Sequence, residues 1–177
     1  MSRPRVILLV GPVFAGKSSF VEELSHSLAT TGLIVAGFVQ RGVFDADGRK
    51  IGYDLVGLSS GAIRAVARRG ESGDRWLFEE TAFEEARAEL CDGADLTVID
   101  EVGHLELAGE GHAAAVERAL SSSPATLIVV RDALADRAEA WLPPRADVHR
   151  IRFEPGREEE IAAIIRSLSE PEPNKNL

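Results

Sequence analysis

Eight residues near the start of the chain, Gly11-Pro12-Val13-Phe14-Ala15-Gly16-Lys17-Ser18, constrain its fold more than any other feature. They match the pattern G-x-x-x-x-G-K-[ST], which functions only between a buried strand and a following helix. The flanks meet that condition. Residues 5–10, reading RVILLV, are almost wholly apolar and rich in β-branched side chains, as in a strand covered on both faces. After the loop, Phe20, Val21, Leu24 and Leu28 recur at helical spacing over residues 17–30, and Gly32 is placed to end that helix. Composition alone predicts roughly 0.002 to 0.003 chance matches to the pattern in a chain this long, so its occurrence here carries information.

The chemistry of such a loop is the capture of a polyanion. Backbone N–H groups turn inward, and the positive end of the helix dipole adds to them. Gly11 and Gly16 permit the backbone path, Lys17 reaches the outer phosphates as a point charge, and the Ser18 hydroxyl is a ligand for Mg²⁺. Gly11, Pro12, Val13, Phe14, Ala15, Gly16, Lys17, Ser18 and the adjoining Ser19 are therefore the candidate nucleotide-binding residues. Only Lys17, Lys50 and Lys175 are lysines among 20 basic residues, so the positions of lysine are informative.

Strands and helices alternate along most of the remaining sequence. Residues 34–39 read as a second strand, and residues 39–44 with 51–58 as a hairpin turned at Asp47-Gly48. Residues 59–79 carry no clear pattern, and the Arg-rich stretch 62–69 fits a short helix or a strand. Thr81 and Glu84 have capping-box spacing at the start of a helix whose Phe83, Ala86 and Leu90 share a face. Strands over 96–99, 126–130 and 147–153 alternate with helices over 111–120, 133–141 and 157–168. The prediction is an α/β, three-layer fold: a mostly parallel sheet with helices on both faces and an inserted β-hairpin. Residues 1–169 form one domain in this reading, and 170–177, with two prolines, a frayed tail.

Charge and cysteine content narrow the partners. With 29 acidic against 20 basic residues the net charge is −9, which argues against nucleic acid and against anionic membrane surfaces. The single cysteine, Cys91, fits a reducing compartment. The uncharged run 6–16 is too short to span a bilayer, and Lys17 interrupts it, so a cytoplasmic location is expected.

A second motif completes the first. Residues 96–101, LTVIDE, form a buried strand that delivers two carboxylates to its C-terminal end, the edge where open α/β sheets bind ligands. Asp100 is the expected Mg²⁺ partner, and Glu101 is placed to orient or deprotonate an attacking water. Arg131 follows the strand 126–130 at the same edge and is a candidate for transition-state charge, with Arg137 one turn into the next helix. Arg64, Arg68 and Arg69 form a cluster that reads more readily as a solvated face than as a phosphate clamp. Trp76 and Phe78 fit packing under a loop better than stacking on a base. The four histidines lack the spacing of a zinc site, and no Asn-Lys-x-Asp guanine-reading pattern is present.

With these residues in view, the sequence resembles the THEP-type family of P-loop nucleoside-triphosphatases, whose animal members are called cancer-related nucleoside triphosphatase. The resemblance rests on GPVFAGKS, on Ala36-Gly37-Phe38 leading to a hairpin with Gly52-Tyr53-Asp54, and above all on DEVGHLEL at 100–107. It runs from Arg5 to Phe153. It implies Mg²⁺-dependent hydrolysis of nucleoside 5′-triphosphates to diphosphates and phosphate, with broad base preference. Gly16, Lys17, Ser18, Asp100 and Glu101 match functional positions, and Gly103 and Glu106 match the extended acidic motif. The chain departs from the family pattern at Gln40, Arg41, Gly42 and Phe44 in strand two and at His104. Two other readings share the phosphate loop: a nucleotide-dependent adaptor of the MobB type and a small-molecule kinase.

Overall fold

Val6 to Val10 offer no polar side chain, so a strand made of them is stable only if both its faces are sheltered. The computed structural model, which describes residues 3–70 and 75–170, meets that demand with three layers. Strand β1 (Arg5–Gly11) lies between β7 (Ala125–Arg131) and β8 (Asp147–Arg152), parallel to both. Its alternate side chains feed two separate cores. Ile7 and Leu9 pack with Val21, Leu24 and Leu28 of α1 (Lys17–Thr30) and with Ile161 and Ile165 of α6 (Glu158–Ser169). Val6, Leu8 and Val10 face the other way, toward α2 (Glu80–Ala88), α4 (Ala113–Ser122) and α5 (Ala135–Trp141), which contribute Ala86, Ala115, Val116, Ala119 and Ala138. Small residues on these helices allow close approach to the sheet, and each buried Leu or Ile contributes about 1.5–3 kcal/mol.

The sheet has eight strands in the order β5-β4-β3-β2-β6-β7-β1-β8. From β2 (Val35–Phe44) through β6 (Leu96–Val102) to β8 the pairing is parallel; from β2 through β3 (Lys50–Gly57) and β4 (Ile63–Arg69) to β5 (Trp76–Phe78) it is antiparallel. Residues 34–39 and 39–44 are thus one strand. β2 pairs with β6 only from Val35 to Phe38, then continues past the end of that ladder beside β3. The apolar pattern lapses at Gln40 because β2 there leaves the two-sided core, and the sequence reading divided the strand at that point. The turn falls at Asp47-Gly48 as expected, with the Asp45 carboxylate accepting from the backbone N–H of Asp47 (3.0 Å) and Arg49 (2.8 Å).

The inserted hairpin is the first half of a larger antiparallel wing. The Arg-rich stretch is strand β4, where Arg64 pairs with Glu85 and Glu89 and Arg68 with Asp54. Helix α2 begins at Glu80 with Glu79 as its N-cap residue, so Thr81 lies in the first turn and the expected capping box does not form. A four-residue helix, α3 (His104–Leu107), follows β6 directly. Among the described residues no helix is long and apolar enough to cross a membrane. The expected tail beyond residue 170 lies outside the described residues.

One glycine makes the junction of the two halves possible. Gly37 has φ +100°, and a Cβ there would stand 2.0 Å from the Val98 carbonyl oxygen of β6. Backbone, not a movable side chain, occupies that space, so Gly37→Ala is expected to lower stability by at least about 3 kcal/mol, or roughly 6–12 °C, in thermal unfolding. A change below about 2 °C would show that β2 and β6 tolerate a wider spacing.

Candidate active site

The loop after β1 is built from its backbone. Gly11 ends the strand in register with Arg131, and a Cβ on it would stand 3.2 Å from the Phe153 Cβ and 3.3 Å from the Lys17 Cδ. Gly16, at φ +90°, is the N-cap residue of α1, and Phe14 adopts φ +62°, a left-handed conformation rare for a bulky side chain. The first helical hydrogen bond runs from Phe20 N–H to the Gly16 carbonyl, which leaves the N–H groups of Lys17, Ser18 and Ser19 without helical partners at the positive end of the dipole. Lys17 is buried, and its Nζ donates to the carbonyl oxygens of Gly11 (2.9 Å) and Pro12 (2.6 Å). Burial lowers the ammonium's pKa, against the opposing pull of Glu101 and Asp100.

The two acids sit where a ladder breaks. β6 and β7 pair regularly up to Ile99 and Ile128, then resume at Val102 and Val130, so Asp100 and Glu101 occupy a bulge with one extra residue. Glu101 adopts φ +60°, a strained conformation for a non-glycine residue and one concentrated at functional sites. Asp100 is fully buried. Its Oδ1 accepts from Glu101 N–H (2.8 Å) and its Oδ2 from Gln40 N–H (3.0 Å). Burial pushes its pKa up to about 6, helped by the charge of Glu101; hydrogen bonds from the Ser18 hydroxyl and the two backbone groups oppose the rise. The bulge leaves the Glu101 Oε2 3.1 Å from the Arg131 Nη2.

The structure therefore gathers Lys17, Ser18, Asp100, Glu101 and Arg131 at one sheet edge. The Ser18 hydroxyl and the Asp100 carboxylate form an all-oxygen donor set suited to a hard divalent cation. Among the described residues no group of three His, Cys, Asp or Glu side chains could hold a metal by itself. An ion here would need further oxygens from water or phosphate, as Mg²⁺ normally does.

A cavity of about 410 Å³ lies over the loop, lined by the loop residues from Val13 to Ser19, by Glu101, and by Gln40, Phe44, Lys50 and Tyr53 of the antiparallel wing. The sequence reading missed this last group. The Lys50 Nζ lies 4.7 Å from the Phe14 ring centroid and 4.6 Å from that of Tyr53, so a cation from the hairpin is held over the phosphate loop by aromatic faces. The scarcity of lysine was a signal for it; the approach of Lys50, at the start of β3, to Phe14 of the loop was not visible in sequence. Arg41 is engaged by Glu22, and Arg137 is exposed on α5. Trp76 packs on Tyr53, at 5.2 Å between centroids, and Phe78 on Phe83, at 6.2 Å. Glu106 holds the loop after the acids: its carboxylate accepts from Gly103 N–H (2.8 Å) and His112 N–H (3.0 Å).

A mostly parallel sheet carrying a glycine-rich phosphate loop, with a buried aspartate and a strained glutamate opposite, defines a P-loop nucleotide-binding protein. A family model described as NTPase matches residues 6–165, and the chain belongs to that family of nucleoside-triphosphatases. It is 30% identical to nucleoside-triphosphatase THEP1 of Thermococcus kodakarensis, over 90% of this chain and 91% of the relative. To the cancer-related nucleoside-triphosphatase of Homo sapiens it is 31% identical, over 71% of this chain and 73% of that protein. The solution structure of a human cancer-related nucleoside triphosphatase superposes with a TM-score of 0.67 at 26% identity, covering 92% of this chain and 96% of that one.

Lys50 offers a charge that a nucleoside lacks the phosphates to meet. Lys50→Met is expected to weaken binding of a nucleoside triphosphate about tenfold in calorimetry, the size of one charge-assisted contact. Equal affinity of the two proteins would show that the cation serves only to pack the hairpin.

Proposed function

We propose that the chain hydrolyses nucleoside 5′-triphosphates to diphosphates and phosphate with Mg²⁺, by attack of water on the γ-phosphorus. The observation that carries this reading is the convergence of Lys17, Ser18 and Glu101 on a single cavity, with the Asp100 carboxylate buried directly behind it on the Ser18 hydroxyl. Loop N–H groups and Lys17 hold the phosphates, and Lys50 adds a second cation from the hairpin side. Ser18 and Asp100 would hold Mg²⁺, which supplies charge neutralisation at the phosphate oxygens. Glu101 orients the attacking water and accepts its proton. Arg131 fixes the Glu101 carboxylate through their ion pair and is near enough to the same space to meet charge developing on the γ-phosphate. A net charge of −9 supports small-molecule substrates over nucleic acid, and the lone thiol Cys91 supports a cytoplasmic setting.

Phosphate release from ATP, GTP, CTP and UTP by wild type, Lys17→Ala and Glu101→Gln tests the assignment. Glu101→Gln is expected to keep nucleotide binding and to lose at least about 10² in turnover. Undiminished release by that variant would remove Glu101 from the mechanism, whereas tight binding without turnover in the wild type would favour an adaptor.

The elevated pKa of Asp100, about 6, sets a pH limit. The carboxylate is the ligand, so affinity for Mg²⁺ is level well above that value and declines as pH falls through it, approaching tenfold per unit. Titrating Mg²⁺ at several pH values with a non-hydrolysable triphosphate bound, in wild type and Asp100→Asn, cancels the nucleotide's own protonation. An identical pH profile in both proteins would exclude Asp100 as the ligand.

A further inference from the structure

A second cavity, of about 340 Å³, shares Gln40, Tyr53 and Glu101 with the phosphate cavity but contains none of the loop residues. Its walls come from parts of the chain that phosphate binding does not use: Trp76 and Phe78 of β5, Phe83 of α2 and His112 before α4. Arg131 completes it, and its ion-pair partner Glu101 borders both spaces.

Two features distinguish this cavity from a packing defect between aromatic side chains. On the edge strand Phe78 is 49% exposed, and Trp76 beside it is partly exposed, with Tyr53 packed on its ring and the Arg69 guanidinium over it at 5.4 Å. Exposed aromatic faces beside a cavity suit a planar guest. The walls also hold buried polar atoms with no partner among the described residues. His112 is only 1% exposed; its Nε2 lies 2.9 Å from the Gln40 Nε2, while its Nδ1 is buried and meets nothing. The Arg131 Nε is in the same condition. Both atoms are closed to solvent behind the cavity wall, so the polar group open to a guest is the outer end of the Arg131 guanidinium, whose side chain is 42% exposed.

We propose that this cavity is an acceptor chamber, which binds a planar aromatic or heteroaromatic alcohol with its hydroxyl at Glu101, where it takes the γ-phosphoryl group in place of water. The proposal rests on the hydrolytic reading above, because it gives Glu101 the same task with a different nucleophile. A bond forms between the hydroxyl oxygen and the γ-phosphorus. The bond from that phosphorus to the β–γ bridging oxygen breaks, and the nucleoside diphosphate leaves with the electron pair. The hydroxyl proton passes to the Glu101 carboxylate. The ring stacks on Phe78 beside the edge of Trp76, and its polar substituents meet the guanidinium of Arg131.

The chain has two tryptophans, so Trp141→Phe leaves Trp76 as the only one and makes its fluorescence a reporter of the chamber. The probes are pyridoxine, 4-hydroxybenzyl alcohol and thymidine, with glycerol as an alcohol lacking a ring. Each ring probe is expected to quench Trp76 saturably at or below millimolar concentration, and glycerol to leave it unchanged. Phe78→Ala is expected to weaken probe binding about fivefold, the loss of one stacked ring, with phosphate release to water unaltered. With ATP and Mg²⁺, at least one probe yields a phosphomonoester by phosphorus NMR. Absence of saturable quenching by all three ring probes overturns the chamber, and quenching with no phosphomonoester from any of them overturns its acceptor role. Quenching requires no turnover, so a Glu101→Gln protein that still released phosphate would defeat the hydrolytic reading while leaving the binding result intact.

Discussion

A single buried carboxylate ties the architecture to its chemistry. Asp100 is shut off from solvent, and the groups that satisfy it come from three separate parts of the chain: the Ser18 hydroxyl from α1, the Gln40 N–H from β2 and the Glu101 N–H from its own strand. An unsatisfied carboxylate at that depth would be costly, so these three elements are held in one relative position. The phosphate loop, the end of the parallel sheet and the root of the antiparallel wing meet there. The cost remains visible in the raised pKa of the group, which suits it to an added positive charge.

The break in the β6–β7 ladder turns that arrangement into a reactive one. A regular strand would send adjacent side chains to opposite faces. The bulge and the left-handed conformation of Glu101 bring its carboxylate to Arg131 at the sheet edge, while Asp100 stays buried next to it. Strain stored at one residue is offset by the ordered strands on both sides, a common condition at functional sites. Glu106 then fastens the following loop by accepting two backbone N–H groups, so the reach of Glu101 does not depend on a mobile segment.

The wing gives the site its walls. By running past the end of β6, β2 carries Gln40 and, through β3, Lys50 and Tyr53 to the space above the loop. The same excursion places β5 and its aromatic residues behind Glu101, so one carboxylate borders two cavities of similar size. A nucleophile reaching Glu101 from the second cavity and a phosphate reaching it from the first would meet beside one carboxylate.

Much of this was legible in the linear order of residues, for a local reason. A glycine-rich loop is a contiguous motif, and the alternation of apolar runs with helical periodicity is a local pattern, so the loop from Gly11 to Ser19, the placement of Asp100 and Glu101 at the same sheet end, and a three-layer fold with a mostly parallel sheet could be read directly. The resemblance carried by DEVGHLEL pointed to the family that the comparisons show. Where the pattern was weak, between residues 59 and 79, edge strands with one solvated face give little periodic signal, and arginines engaged by a neighbouring strand or helix resemble a charged surface.

The sequence by itself determined the glycine-rich loop between β1 and α1, the acidic pair and the layered core, because each is set by neighbours along the chain. Only the tertiary structure decided that Arg131 pairs with Glu101, that Lys50 sits over Phe14, and that Trp76, Phe78, Phe83 and His112 enclose a second cavity. Those contacts join residues tens of positions apart. Their existence depends on the strand order, on the register of β2 and on a one-residue bulge, none of which leaves a pattern in the residues it brings together.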